Sequence, residues 1–277
     1  MAHTIALYIG AQKLHELEAQ MMKALQEMYD HKQDDSALYF TLAIQATQNL
    51  MGKAQNPVFL KGEVMDCDKN YQIENPLMLS FMHGYHLMLA LRYEAYDVIL
   101  EKFYDMPDWF KFAPGHVFNV RCVFYEGLAF AGLALEGKDV NKNHRLAKQK
   151  LATIKSWHDG GNPNVGHMAK LLEAEITSMR NVKGASEIYE EAILLSSRGG
   201  YVHDKALCHS RAGAYFLKLR HDEYWAAHHY DNAIQSYKDW GAMGVVQHHV
   251  EKYRSLLEGF NQCSTVSKGL LSQHFTT

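Results

Sequence analysis

Apolar positions recur along this chain in steps of three and four, the spacing that lines up one face of a helix. Leu14, Leu17, Met21, Ala24 and Met28 form the first stripe and predict a helix over 14–28. A second helix is expected over 36–52, with Ser36 and Gly52 as its caps. Asn56-Pro57 breaks the pattern, and residues 57–72 have room for only a short helix. Asn75-Pro76 opens PLMLSFMHGYHLMLAL, which is apolar all round and therefore expected to be buried. Residues 96–104 read as its helical partner, and 106–115, with two prolines, as a loop.

The run VFNVRCVFYEGLAFAGLALEG carries Gly127 and Gly132 in mid-helix. Glycine there costs about 1 kcal/mol relative to Ala, so another helix should approach closely enough to offset it. Further helices are expected over 142–157, 165–179, 185–197, 203–219, 222–240 and 242–257. The connections are short, which makes consecutive helices antiparallel neighbours. The last of them carries Val245, Val246, His249, Val250 and Tyr253 at helical spacing and should cap the stack, with Gly241 ending the helix before it. Residues 1–258 read as one helical-repeat domain, with 1–106 and 115–258 as sub-units, and 259–277 as a tail without stable structure.

An internal repeat sharpens this all-α reading. ASEIYEEAI begins at Ala185 and AAHHYDNAI at Ala226, 41 residues later. Ala185, Tyr189 and Ala192 share a helix face, as do Ala226, Tyr230 and Ala233. Small residues admit a neighbouring backbone, and the ring fills the space beyond. Another helix precedes each stripe, so each unit is a helix pair that buries its face only by stacking. The pattern resembles the tetratricopeptide repeat, and Gly213 and Phe216 fit that family's first-helix positions. The period exceeds the family's usual length of about 34 residues. Neither unit has its Trp near the start or its Pro near the end.

The segments FYEGLAFAGLAL, IKSWHDGGNPN, KLLEAEI, ASEIYEEAILLSSRGGYVHDKALCHSRAGAYF and SYKDWGAMGVVQHHVEKY occur in this order. Together they resemble the helical-repeat region of large multi-sensor signalling proteins, in which kinase-like and ATPase modules precede the repeats and histidine-kinase modules follow. The resemblance covers residues 77–257 best, and Tyr237–Gly241 is its most specific piece. It implies a superhelical solenoid of antiparallel helix pairs, about six of them, with first helices lining a concave surface. It implies an interaction role and not the catalysis of the flanking modules. GNPNVG at 161–166 is followed by His167 and Met168 where a phosphate-binding loop needs Lys and Ser or Thr.

Composition narrows the functional classes. With 47% hydrophobic and 21% charged residues and a formal charge of −3, the chain lacks the basic footprint of a nucleic-acid binder. No run approaches the roughly 18 apolar residues that span a bilayer, and Cys67, Cys122, Cys208 and Cys263 form no C-x-x-C pair. A cytoplasmic protein that does not insert into membranes is expected, with homo-oligomerisation left open.

Histidine is abundant, at 17. The adjacent pairs His228-His229 and His248-His249 each point about 100° apart on a helix, so each offers one ligand to a common site. They read as solvated helix surface, and His83 and His86 as structural residues within an apolar run. No metal, cofactor or catalytic constellation is assigned. The candidate partner-binding residues are the polar positions of two first helices: Arg121 and Tyr125, and His209, Arg211 and Lys218. The expected function is a non-catalytic adaptor or regulator in signalling that binds a protein or peptide. The competing reading is a small-molecule sensor or enzyme with a pocket beside the aromatic stretch at 107–118, favoured if that pocket is enclosed.

Overall fold

The computed structural model describes residues 2–10, 12–67, 76–95, 97–98 and 117–260. The expected helix at 96–104, the loop at 106–115 and the tail beyond 260 fall outside these, apart from residues 97 and 98. Among the described residues there is no strand; Lys61 and Asp66 make an isolated antiparallel bridge. The helices, in order, are α1 (Ala2–Ile9), α2 (Leu14–Asp30), α3 (Asp34–Met51), α4 (Pro76–Arg92), α5 (Val117–Leu135) and α6 (Val140–Asp159). They continue with α7 (Gly166–Ser178), α8 (Ala185–Arg198), α9 (Val202–Tyr215), α10 (Glu223–Trp240) and α11 (Met243–Lys252). A π-turn, Phe216–Arg220, extends α9, and residues 254–260 add a further helical turn beyond α11.

Local chemistry sets the boundaries. Gly52 at φ 81° and Gly241 at φ 91° end α3 and α10 in the left-handed conformation, where a Cβ would be strained. Asp222 caps α10 by accepting from the Trp225 N–H at 3.1 Å. Residues 57–67 form no helix, because side chains of α3 and α4 take their backbone groups. Asn49 Nδ2 donates to the carbonyls of Asn56, Pro57 and Phe59, Gln45 Oε1 accepts from Met65 N–H, and His86 Nε2 accepts from Leu60 N–H.

Consecutive helices pack most extensively as α9 with α10, α5 with α6, α7 with α8 and α2 with α3. Gly127 answers its helix-propensity cost: a Cβ there would stand 2.6 Å from Leu172 of α7 and 3.1 Å from Cβ of Lys150 of α6. A Cβ on Gly213 of α9 would stand 3.0 Å from the Tyr230 ring of α10. α5 is long and apolar enough to cross a bilayer, with mean hydropathy 1.3, contrary to the expectation that no run is. Within the fold, 72% of that window is buried, packed against α4, α6 and α7.

The last helix does more than cover the end of the chain. α11 packs against α3, so late and early helices meet. Val245, Val246, His249 and Tyr253 are buried as expected, while Val250 is exposed. Glu94, in the left-handed region at φ 56°, receives Lys252 Nζ and, at 2.8 Å, the Tyr253 hydroxyl. α1 lies against α2, α3 and α5 and reaches α9 through Tyr8. Its Tyr8 stacks on Tyr85 of α4, and its carbonyl lies 2.9 Å from His203 Nε2.

Candidate functional site

Charged and polar side chains from five helices converge inside the fold. Asp204 of α9 is fully buried and paired with Arg121 of α5. His167 Nε2 of α7 lies 2.7 Å from the same carboxylate oxygen, and His203 Nε2 stands 3.3 Å from the other. Burial opposes ionisation of Asp204, but Arg121, His203 and His167 outweigh it and hold the carboxyl well below its ordinary range. Burial pushes His203 down to about 3, so its imidazole is neutral near pH 7.

A second guanidinium stands beside this group. Arg92, at the end of α4, is wholly buried and donates one bond, Nη1 to the Met88 carbonyl at 2.9 Å. Its Cζ lies 5.5 Å from the ring centroids of both Tyr125 and Trp240. Burial disfavours its charge, and Tyr125, Tyr237 and Asp204 more than restore it. Several buried polar atoms here make no hydrogen bond of good geometry: Arg92 Nε and Nη2, Arg121 Nε, the hydroxyls of Tyr125 and Tyr237, and Trp240 Nε1, although Arg92 and Tyr125 lie close enough to interact. Buried polar groups are usually paired, so these stand out from the rest of the interior.

Arg121 links this interior to a pocket of about 350 Å³. The pocket lies between Ile9 at the end of α1, Val117 and Val120 on α5, Met168 on α7, and the turn bearing Asn162, Asn164 and Val165. Tyr201 completes the wall; its ring stacks on His167 with centroids 4.5 Å apart, and its hydroxyl donates to Asn164 Oδ1 at 2.7 Å. The walls are apolar, with two amides and one guanidinium to orient an occupant.

The five candidate residues fall into three places, Arg211 and Lys218 lining one of them together. Arg121 and Tyr125 belong to the interior group just described. Arg211 is buried and engages Glu175 of α7 through two bonds of 2.7 Å each, a fork-to-fork pair. His209 is buried with its Nδ1 3.1 Å from Nδ1 of His229. Lys218 alone of the five is exposed, at 63%, with Nζ 3.9 Å from Glu136. Arg92, Asp204, His167 and His203 escaped the sequence reading, although His203-Asp204 inside an apolar stretch was a visible signal.

The histidines depart from the expected solvated surface. His203, His209, His229 and His249 are buried, because α9 is enclosed by its neighbours and α10 and α11 turn one histidine of each adjacent pair inward. Burial, followed by His229 and Lys205, lowers His209 to about 3; burial, followed by His228, lowers His229 to about 4. His83 Nε2 lies 3.2 Å from Glu126, and with Lys150 it overcomes burial to hold that carboxyl near 2. Among the described residues, no three His, Cys, Asp or Glu side chains come together as a metal site would require. No family model matches the chain, and no curated protein or solved structure matches it either.

Proposed function

We propose that this chain is a non-catalytic recognition module, a tetratricopeptide-like array of helix pairs drawn closed on itself, which takes a small ligand into the pocket at Arg121. The single observation that carries the reading is that pocket: about 350 Å³, apolar-walled, with a buried guanidinium in its lining. A space of this size suits a small molecule. Closure supports the choice over an open peptide groove, since α11 packs on α3 and α1 lies among the inner helices. The pocket also adjoins Val117, beside the aromatic stretch that motivated the sensor reading. A non-catalytic role fits the lining, which among the described residues holds no Ser, Cys, His, Asp or Glu to act as nucleophile or general base.

The test is a ligand screen by thermal shift on the wild-type chain and on Val120→Trp, which fills the pocket. Ligands that stabilise the first and not the second support the reading; a screen whose hits act equally on both would sink it. A protein partner retains one specific observation. Tyr224, 59% exposed, lines a shallow groove with Phe260 at the start of α10, and Trp225, 44% exposed, stands beside Tyr224. Aromatic residues of this kind anchor protein interfaces. Loss of partner capture by Tyr224→Ala and Trp225→Ala, with Val120→Trp still competent, would favour the adaptor role.

A further inference from the structure

At the start of α10 a groove opens between Glu223, Tyr224, Ser255, Leu256, Gly259 and Phe260. It joins α10 to the helical turn at 254–260 and shares no lining residue with the pocket at Arg121. Its volume is about 280 Å³, just below the range of about 300–1,000 Å³ of ordinary ligand sites, so its occupant is small.

The aromatic rings around it brace one another. Tyr224 and Phe260 stand 5.3 Å apart, centroid to centroid, with their planes at 55°. Tyr224 meets Trp225 at 84°, Trp225 meets His228 at 83° and His228 meets Phe260 at 65°, which closes a circuit of four rings. Phe216 supports Trp225 from outside that circuit. No ring of the circuit lies parallel to its neighbour, and Tyr224 remains 59% exposed, so ring face is left open to an occupant. Ring faces are electron-rich and attract a cation. The charged side chain among the described lining residues is Glu223, an exposed carboxylate that makes no ion pair among the described residues. A neutral occupant would leave that carboxylate without a counter-charge. A primary ammonium is strongly hydrated and gives up more on entering an apolar groove than a quaternary one. We infer that this groove binds a small, free quaternary ammonium compound, with its head on the Tyr224 and Phe260 rings and its charge balanced by Glu223. The site is independent of the pocket at Arg121.

Choline and 3,3-dimethylbutan-1-ol have the same shape and differ by a charged nitrogen in place of a carbon, which isolates the charge. In ligand-observed NMR titrations of the full chain, the choline methyl signal should move upfield under the ring currents. Choline should bind about fivefold more tightly than the alcohol, the size of an exposed cation–π contact. Tyr224→Phe should keep that preference. Tyr224→Leu retains apolar bulk and should abolish it, and Glu223→Gln should weaken choline binding and not that of the alcohol. Both positions are exposed, so these variants should fold. Val120→Trp should leave choline binding unchanged. Equal binding of choline and the alcohol, or binding of neither, would overturn the inference, as would a preference that survives Tyr224→Leu. Loss of choline binding in Val120→Trp would place the cation in the other pocket and remove it from this groove. A trimethyllysine peptide that bound more than about tenfold tighter than choline would give the groove to a modified protein and overturn the free ligand.

Discussion

Gly52 and Gly244 meet backbone to backbone: a Cβ on Gly244 would stand 2.6 Å from the Cα of Gly52 and 2.5 Å from the Tyr93 hydroxyl. The end of α3 and the start of α11, far apart in sequence, are thereby joined. That hydroxyl donates to the Asn49 carbonyl at 2.7 Å, so it cannot move aside without losing its bond. Gly244→Val should therefore destabilise the fold by about 1–3 kcal/mol, the usual cost of overpacking. Gly259→Ala, which meets nothing within 4 Å, is the control. Equal urea midpoints for the two variants would show that this seam does not hold the fold closed.

Arg211 was a candidate for partner binding, and its bonds to Glu175 make a stability experiment informative. Arg211→Met leaves a buried carboxylate without its cation and should cost about 3–5 kcal/mol. Adding Glu175→Leu removes that carboxylate and should restore most of the loss. Both single variants and the double variant are needed, because only the cycle isolates the pair. If Arg211→Met leaves the urea midpoint unchanged, the pair is not structural and Arg211 returns as a binding residue.

The helices were largely legible because their signals are local. Pro76 and Gly52 mark real boundaries, and the left-handed Gly241 ends α10 where an aromatic-x-x-Trp-Gly string says it should. α1 had too few residues to show a period, and 57–67 is shaped by side chains of α3 and α4 rather than by its own sequence. The interior site was illegible for a different reason. Arg121 meets Asp204 across 83 residues, and Tyr8 meets His203 across 195. A polar residue on an amphipathic helix reads as solvent-facing unless another element covers it, and the contact of α11 with α3 cannot be read from periodicity. Arg121 and Tyr125 were therefore singled out for their polarity but placed on the wrong kind of surface.

The repeat signature has its own test in Gly213 and Tyr230. A Cβ on Gly213 would stand 3.0–3.1 Å from three atoms of the ring, within the tight range of real contacts. Gly213→Ala gains about 1 kcal/mol of helix propensity and must displace the ring to do so, leaving a small net change. Gly213→Leu has no such room and should lose about 1–3 kcal/mol. Combining it with Tyr230→Leu should recover part of that loss, because the larger side chain then replaces the ring. Full additivity in urea unfolding would mean that the two positions do not pack on each other, and the small-residue-plus-aromatic logic of the repeat would fail.

Acid should unfold this protein through its histidines. His203, His209 and His229 ionise only near 3, 3 and 4 in the folded chain, against about 6.5 when exposed to water. Below about pH 6.5 the unfolded chain takes up protons that the folded chain refuses, so stability rises with pH between about 4 and 6.5 and is lost on acidification. Each such histidine contributes a slope of up to about 1.4 kcal/mol per pH unit in that window. His209 and His229 oppose two Nδ1 atoms at 3.1 Å, an arrangement that accommodates one shared hydrogen and not two protonated rings. The melting temperature should therefore fall steadily from pH 7 to pH 5. His229→Phe, which retains the stacking on Phe216, should make that fall shallower. A flat profile for the wild type, or an unchanged slope in His229→Phe, would mean that these imidazoles already carry their protons in the folded state.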